Sequence, residues 1–345
     1  MCINLTGLQG FSIRSGLFQT NQTLISWCRL SLLRSFSLLF RFLLLIFSPI
    51  GWTIIGLLLF SFLNPFIALA DSVAHFRFYL LVPLTIFTIL RLSARRWKSV
   101  GIAVAVYAAT VASLYPSLPF VRQEPESAGG KTLKLMQLNI AYTNRQFDKV
   151  MTLVDSEQPD VITFQEITRA AWPMLENLKQ SYPTQLACRT KGVGNVVILS
   201  KWPSTQNNEL TQCTENNRFG WLQLNMDGKL ISVAGLHLYW PFPYFQPEQV
   251  ESLLPLLKDI PKPVVIGGDF NAAPWSANVS KIAAASQTDL IAGLRFSFRL
   301  TFSSWLSRFV LPIDHVMVPK GAKARAVLGP NMGSDHLPVI ATISY

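Results

Sequence analysis

A run of 29 residues without a charged side chain, Phe42–Ala70, is the feature that most restricts how this chain can fold. About 20 apolar residues are enough for a helix to cross the hydrocarbon core of a bilayer, and prolines and glycines are tolerated inside such a helix. A second uncharged run covers the 23 residues Ser99–Val121. Between the two runs, Phe78–Leu90 is apolar over 13 residues, with Arg77 and Arg91 at its ends. Both arginines could extend outward to water, which would make this stretch a short span.

These runs predict a membrane region, residues 1–121, with three transmembrane helices near 42–63, 76–92 and 99–119. A helix lying in the interface, or a re-entrant turn, is the alternative for the middle one. A cleaved secretory signal is not expected, because its apolar core would be shorter and nearer the start of the chain. Lys and Arg accumulate on the cytoplasmic side of spans. They precede the first span and separate the second from the third: Arg29, Arg34, Arg41, Arg91, Arg95, Arg96, Lys98. We therefore expect the amino terminus in the cytoplasm and everything after the third span outside it.

The positive charge of the chain is concentrated in its apolar front part. Residues 1–130 hold 10 Lys+Arg and 3 Asp+Glu (+7), and the remainder holds 20 and 16 (+4), which together give the net +11. The basic character is therefore weak evidence for binding to nucleic acid.

Residues 122–130, RQEPESAGG, are typical of a linker, and residues 131–345 are long enough for one buried core.

The part of the chain from 131 onward alternates strands and helices. Thr132–Ile140 and the run VITF at 161–164 are predicted strands, and between them apolar residues recur with helical spacing. Asp227-Gly228 predicts a hairpin, and Val264–Gly267 is predicted to end in a sharp Gly-Gly turn. Strands outnumber helices and come partly as hairpins, so the pattern favours an α/β fold with two mixed sheets and helices outside them.

Polar side chains stand where six of these strands end. The segments are QLN (137–139), FQE (164–166), GLH (235–237), GGDFN (267–271), IDH (313–315) and GSDH (333–336). Each residue taken singly could be a turn, cap or core residue. Together they supply oxygens for a hard divalent cation and imidazoles for proton transfer; Glu166 with Asn139 and Asp335 suits Mg²⁺ better than zinc. Because Asp314 and His315 alternate across a strand, His315 is expected on the opposite face.

The order of these segments, and GDFN followed by SDHLP in particular, resembles the endonuclease/exonuclease/phosphatase superfamily from Leu133 to Ser344. The resemblance implies a four-layer α/β sandwich and a phosphoester hydrolase dependent on Mg²⁺, with Mn²⁺ as a possible substitute. Family members with hydrophobic amino-terminal spans are mostly bacterial, which implies an integral protein of the bacterial inner membrane with a periplasmic or extracellular catalytic domain, 131–345.

The resemblance also implies roles for individual residues. Glu166 would be the principal metal ligand, with Asn139 supporting the metal and a phosphate oxygen and Asp335 contributing to the metal region. Asp269 would orient or deprotonate the attacking water, and Asn271 would donate to the phosphate. The three remaining residues would serve proton transfer: His336 at the phosphate, Asp314 fixing its tautomer, and His237 at the leaving oxygen.

The substrate class stays open at this point. The expected partners are a lipid bilayer and a phosphodiester, either nucleic acid or a phospholipid headgroup. Arg189 and Lys191 could contact phosphate, and the aromatic stretch YWPFPYF (239–245) could form a substrate rim, touch the bilayer or pack as a loop. Large DNA-gripping insertions are not evident. The alternative function is a membrane-tethered binding module that has lost its chemistry.

Cys188 and Cys213 are the two cysteines of the predicted catalytic domain. Outside the cytoplasm they could form a disulfide; two separate buried thiols are the alternative.

Overall fold

The computed structural model describes residues 44–117, 132–190, 194–205, 213–214, 218–299 and 310–344. The predicted linker, 122–130, and Lys191 lie outside these residues. The chain divides into two compact units. Among the described residues, one contains 44–56 together with Leu80–Tyr107, and the other contains Leu57–Tyr79 and the described residues from Ala108 onward. The second unit is larger than the predicted catalytic domain because it includes the segment 57–79.

Between residues 44 and 117, the described front part of the chain forms four α-helices. They are α1 (Leu44–Ser61), α2 (Ala68–Ala74), α3 (Arg77–Ser93) and α4 (Trp97–Leu114). Two stretches, Leu44–Ser61 and Trp97–Ser117, are long and apolar enough to cross a membrane, and α2 with α3, bent by 67° at their junction, make a third candidate. Three candidates therefore lie near the three predicted spans, while the crossing itself and its direction stay predictions.

Arg77 does not extend outward as the sequence suggested. Its guanidinium is buried and donates to the Ser61 carbonyl oxygen at 2.6 Å and to Asn64 Oδ1 at 3.3 Å. Ser61 ends α1, so the arginine donates to a carbonyl at the negative end of that helix, beside the Asn64 N–H that donates to the same oxygen. The expectation was wrong because the side chain turns back onto the end of α1, where its charge meets carbonyl and side-chain oxygens.

The second unit contains two six-stranded mixed sheets. The first has the strand order β13-β14-β1-β2-β4-β3 and the second β5-β6-β7-β8-β12-β9, with β1–β2 and β7–β8 parallel and the other pairs antiparallel. β10 and β11 form a separate two-stranded pair. The bounds are β1 Thr132–Asn139, β2 Val161–Gln165, β3 Thr184–Cys188, β4 Val196–Ser200, β5 Cys213–Thr214, β6 Phe219–Met226, β7 Lys229–His237, β8 Val264–Asp269, β9 Thr288–Leu290, β10 Phe298–Arg299, β11 Val310–Leu311, β12 Asp314–Pro319, β13 Ala324–Leu328 and β14 Val339–Ser344.

Helices cover the outer face of each sheet. Helices α5 (Phe147–Glu157) and α6 (Trp172–Leu178) share a core with the first sheet, and α7 (Gln246–Asp259) and α8 (Ala277–Ser286) share one with the second. A third core, including Leu135, Val233 and Val265, lies between the sheets. The order helix, sheet, sheet, helix confirms the predicted four-layer α/β sandwich.

The Asp227-Gly228 hairpin is as predicted, with both residues at positive φ (55° and 91°) between β6 and β7. The Gly-Gly turn is wrong, because β8 continues through Gly267 and Gly268 to Asp269. These glycines are required by close packing: a Cβ on Gly268 would lie 2.3 Å from the Leu236 carbonyl oxygen, and one on Gly267 would lie 2.6 Å from Thr163 Oγ1.

Cys188 and Cys213 form a disulfide. Cys188 ends β3, at one edge of the first sheet, and Cys213 begins β5, at one edge of the second. The bond therefore joins the two layers at their edges and closes a loop whose ends are 25 residues apart.

We predict that replacing Cys188 and Cys213 by serine lowers the free energy of unfolding of the second unit by about 3 kcal/mol, because a loop of this length gains freedom in the unfolded chain. Thermal denaturation of the detergent-solubilised chain measures the change, with Cys2→Ser/Cys28→Ser as the matched control. Reaction of all four cysteines with a maleimide, in denaturant without reductant, would contradict the bond.

Candidate active site

The six polar segments of the sequence meet at one end of the sandwich. Four of them finish a strand as predicted, whereas Asp314 begins β12 and GSDH (333–336) precedes β14. These two join the others because β12 and β14 run antiparallel to β8 and β1. Asn139 is paired with Gln165 in the first sheet, so Asn139 and Glu166 leave neighbouring parallel strands at the same edge. In the second sheet Asp269 is the register partner of both His237 and Asp314. The sheets therefore deliver side chains to one cleft from two layers.

The Asp269 carboxylate is the centre of this group. Its Oδ2 accepts from Asn139 Nδ2 at 3.0 Å and lies 3.6 Å from His237 Nε2 and 3.8 Å from His336 Nε2. Its Oδ1 accepts from the backbone N–H of Asn271 at 2.9 Å. Asp269 is 1% exposed, so a buried carboxylate is held by donors from three directions, as a buried charge requires.

Glu166 lies at the open side of the group. It follows β2 with φ of 59°, a left-handed conformation that a glutamate adopts only when its surroundings enforce it. Its Oε1 accepts from Asn139 Nδ2 at 3.2 Å and its Oε2 from the backbone N–H of Tyr142 at 2.9 Å. The side chain is 17% exposed, so a solute can reach this carboxylate.

Asp314 and His336 form a buried pair. His336 Nδ1 and Asp314 Oδ2 are 2.7 Å apart, which leaves Nε2 of the imidazole facing Asp269. Burial opposes a positive charge on His336, but the carboxylates of Asp314 and Asp269 outweigh it and raise the pKa of His336 to about 10. Burial also opposes ionisation of Asp314, yet the adjacent imidazolium holds the pKa of Asp314 below its ordinary value.

The two other ionisable groups at the centre shift in opposite directions. Burial raises the pKa of Asp269 to about 7, with Asp314 acting in the same direction and His336 against it. Burial, helped by the positive charge of Arg218, lowers the pKa of His237 to about 3. At neutral pH the cleft therefore holds a neutral His237 beside a protonated His336, with Asp269 poised between its two states.

Two residues with roles implied by the resemblance make further contacts within the protein, while those roles stay predictions. Asn271, expected to donate to phosphate, donates from Nδ2 to the Leu238 carbonyl at 2.8 Å and to Asp269 Oδ2 at 3.4 Å. In this arrangement it orients Asp269. The Asp335 carboxylate accepts from Ser334 Oγ at 3.4 Å and is one of the charges that raise the pKa of His336.

Two buried residues support the group and were not singled out from the sequence. Gln137 Nε2 donates to Asp314 Oδ1 at 2.9 Å, across the space between the sheets. Ser334 Oγ donates to the Asn139 carbonyl and accepts from the His336 backbone N–H. The signal for Gln137 was present, because residues 137 and 139 share one face of β1.

His315 is placed as predicted, on the other face of β12 from Asp314. Its Nε2 is 2.8 Å from the Ala272 carbonyl oxygen and its ring contacts Phe270 edge to face. Burial lowers the pKa of His315 to about 4. It is a core residue beneath the loop that follows Asp269.

A divalent cation fits the Glu166 side of the cleft. Carboxylate and amide oxygens with water are the ligands that Mg²⁺ prefers, and the Glu166 carboxylate is the accessible one. Asp269, Asp314 and His336 also each place one potential ligand atom within 4.8 Å of the others. Both Asp314 oxygens already accept hydrogen bonds, and a protonated His336 repels a cation there. In the observed orientation Asn139 Oδ1 accepts from the Ala141 N–H, and its amide nitrogen faces the Glu166 and Asp269 carboxylates. Asn139 would therefore offer an oxygen to a cation at Glu166 only with its side-chain amide turned over.

Arg189 lies beside the cleft. Its guanidinium is 4.5 Å from the centre of the Trp172 ring, and with Arg169 it lines an open cavity of about 980 Å³ next to the end of β2. It is thus positioned by an aromatic ring and accessible to an anion.

A four-layer sandwich with acids, amides and imidazoles converging at one end of both sheets is the architecture of a phosphoester hydrolase of the deoxyribonuclease-like class. The chain belongs to the Endonuclease/Exonuclease/phosphatase family, whose model matches residues 136–336. At the level of the family the chain is a hydrolase.

Two curated relatives come from Vibrio vulnificus: UPF0294 protein VV2535 of strain YJ016 and UPF0294 protein VV1_1880 of strain CMCP6. Each is 32% identical over 125 residues, which is 34% of this chain and 41% of the relative. The chain thus spans about two fifths of the length of the curated relatives it matches. The crystal structure of the endonuclease/exonuclease/phosphatase from Bacteroides vulgatus is similar with a TM-score of 0.52 and 15% identity, over 62% of this chain and 99% of that one. At this identity the similarity establishes the fold.

We predict that His336 stays protonated up to about pH 9 in the metal-free chain. Its folded pKa lies above its ordinary 6.5, so the stability from the Asp314–His336 pair is complete below pH 6.5 and is lost as the pH rises through about 10. Asp314→Asn should return the pKa of His336 toward its ordinary value.

NMR of ¹⁵N-histidine-labelled protein in a chelator measures this, because the chain has only four histidines. His315 is the internal control and should stay neutral at pH 7 in both proteins. A neutral His336 at pH 7 in the unmodified chain would contradict the charge assignment.

Proposed function

We propose that this chain is a membrane-anchored, Mg²⁺-dependent phosphoesterase that hydrolyses a phosphodiester by in-line attack of water. The observation that carries the proposal is the Asp269 carboxylate, which lies within 4 Å of Asn139, His237 and His336 beside the accessible Glu166. No purely structural role accounts for a left-handed glutamate and two histidines around one buried carboxylate.

Asp269 and His336 provide the acid–base chemistry in this proposal. A pKa of about 7 for Asp269 suits a group that takes a proton from water at neutral pH. The Nε2 atom of the protonated His336 presents a positive charge to the negative phosphoryl oxygens. Asp314 fixes the orientation of the His336 ring and stabilises its positive charge, and Gln137 in turn positions Asp314.

The neighbouring groups orient and stabilise the substrate. The neutral His237 presents Nε2 toward the Asp269 and Glu166 carboxylates, from where its N–H can donate a hydrogen bond to a leaving oxygen; the proton that this oxygen takes up would come from the protonated His336. Asn271 holds Asp269 in its orientation. Glu166 would hold Mg²⁺, and Asn139 would join it with its side-chain amide turned so that Oδ1 takes the place of Nδ2, while Asp335 would act from the side of His336; the ion, when bound, neutralises charge on the phosphoryl oxygens.

The proposed location is the outer side of a bacterial inner membrane. The Lys and Arg distribution around the candidate spans supports this direction. The Cys188–Cys213 disulfide supports it independently, because disulfides persist in the periplasm and outside the cell but rarely in the cytoplasm.

We predict that Asp269→Asn and His336→Ala each lower phosphodiester hydrolysis by about 10²- to 10⁴-fold. The assay uses the full-length chain in detergent with Mg²⁺, with bis-p-nitrophenyl phosphate, plasmid DNA, RNA and phospholipid as separate substrates. Asp155→Asn is the matched control, because Asp155 is exposed on α5 and its loss should leave the rate unchanged. Binding of a phosphodiester without turnover, equal in wild type and variants, would instead indicate a binding module.

We predict that Glu166→Gln weakens binding of Mn²⁺, used as a paramagnetic probe for Mg²⁺, by at least about tenfold, because a charged ligand becomes neutral. Electron paramagnetic resonance of the full-length chain measures the free ion without reference to activity. Glu248→Gln, an exposed glutamate on α7, is the control. Equal affinities of the Glu166→Gln and Glu248→Gln variants for Mn²⁺ would show that Glu166 does not bind the ion.

A further inference from the structure

The inter-span segment, residues 57–79, runs from the end of α1 through α2 to the start of α3 and packs on the four-layer sandwich. Asp71 in α2 is 3% exposed, and its carboxylate accepts from Ser276 Oγ at 2.7 Å and from the backbone N–H of Ala277 at 2.8 Å. These donors belong to the start of α8, where a negative charge is favourable. Trp275 Nε1 donates to the Ala74 carbonyl at 2.6 Å. The segment 57–79 is therefore fixed to the loop that follows Asp269 and Asn271.

The same helix also holds the aromatic loop, residues 239–245. Ser72 Oγ in α2 donates to the Phe242 carbonyl oxygen at 2.8 Å. The loop begins two residues after His237, and Trp240 contacts Phe298, whose ring centre is 4.9 Å from that of His336. The aromatic loop thus borders the candidate active site and is hydrogen-bonded to the inter-span segment.

Both elements expose large apolar side chains. In the aromatic loop, Tyr244 is 60% and Phe245 69% exposed, and in the inter-span segment Phe66 is 86% and Leu69 49% exposed. These apolar side chains lie on two neighbouring elements that are hydrogen-bonded to each other. Such a concentration marks an interaction surface, whereas single exposed apolar residues do not. We call these four residues the apolar rim.

The sequence position of the segment identifies what covers the apolar rim. The bent candidate consists of α2 and α3, but α2 is fixed to the sandwich by Asp71 and Ala74, so only α3, from Arg77 onward, is left to cross. If α1 and α3 cross, the residues between Ser61 and Arg77, α2 included, emerge at a membrane surface. Tyr and Trp are favoured at that depth. The aromatic loop carries no charged residue, whereas a nucleic-acid surface needs Lys and Arg. The bilayer interface is therefore the occupant that the chemistry favours.

We propose that the apolar rim lies in the interfacial layer of the bilayer, and that the candidate active site therefore acts on phosphodiesters carried by that membrane, the headgroups of phospholipids. The substrate part rests on the proposed function, whereas the contact with the bilayer does not.

The depth of the rim is tested in the full-length chain with Cys2→Ser and Cys28→Ser, reconstituted in phosphatidylethanolamine–phosphatidylglycerol vesicles. Tyr244→Cys is labelled with bimane, and quenching by nitroxide lipids is measured. Leu230→Cys is the matched control: Leu230 is 45% exposed, but it lies seven residues before His237 on β7, about 23 Å away. We expect strong quenching and a blue-shifted emission at 244 and neither at 230. Equal quenching at both positions would overturn the proposal.

The substrate is tested with Phe66→Ser/Leu69→Ser in the same vesicles; both residues lie outside the loop that borders the site. Loss of two interfacial apolar anchors should lower phospholipid hydrolysis by about tenfold or more and leave hydrolysis of soluble bis-p-nitrophenyl phosphate unchanged. Leu230→Ser/Val327→Ser, two exposed apolar residues remote from the rim, should change neither rate. An equal loss on both substrates, or cleavage of DNA in preference to lipid, would overturn the lipid assignment. A wild-type chain that hydrolyses neither substrate contradicts the proposed function, and quenching at 244 then decides the bilayer contact alone.

Discussion

The Asp269 carboxylate determines how the two sheets meet at the functional end of the molecule. It is buried at the end of β8 in the second sheet, and its strongest side-chain donor, Asn139, comes from β1 in the first. A buried carboxylate without donors would cost several kcal/mol, so the sheets are held in one relative position by the same contact that builds the site. The Gln137–Asp314 bond repeats this link one layer deeper. Fold and site therefore depend on a shared set of polar contacts.

Much of this arrangement was predictable because strands impose simple rules. Parallel neighbours end at the same edge, so Asn139 and Glu166 could be placed together, and alternation across β12 separated Asp314 from His315. The glycines of β8 show where such rules stop. Gly267 and Gly268 are consistent with a turn in the sequence, but in the structure they give the Leu236 backbone and Thr163 space to approach. Only tertiary packing distinguishes a Gly-Gly turn from two glycines that allow close packing inside a strand.

The contacts of the inter-span segment could not have been predicted. Asp71 is separated from Ser276 by 205 residues, and nothing local to either residue indicates the other. Arg77 was misinterpreted for a related reason, since its partners at the end of α1 become visible only once the helix and the following turn are built. Asn271 was assigned a donor role by resemblance, while the nearest acceptor, the Leu238 carbonyl, depends on how β7 and β8 are paired.

The charged forms of Asp269 and His237 are costly for folding, unlike the Asp314–His336 pair, and this cost is itself an argument for function. The folded pKa of Asp269 lies above its ordinary value, so ionisation of this carboxylate destabilises the folded chain progressively from about pH 4 to its full extent above about pH 7. The lowered pKa of His237 acts against the fold below pH 6.5 in the same manner. With uncharged residues of similar shape in place of Asp269 and His237, the folded chain would be more stable at both high and low pH. Residues that reduce stability at the end of two rigid sheets, next to a strained and accessible Glu166, are best explained by the chemistry they make possible.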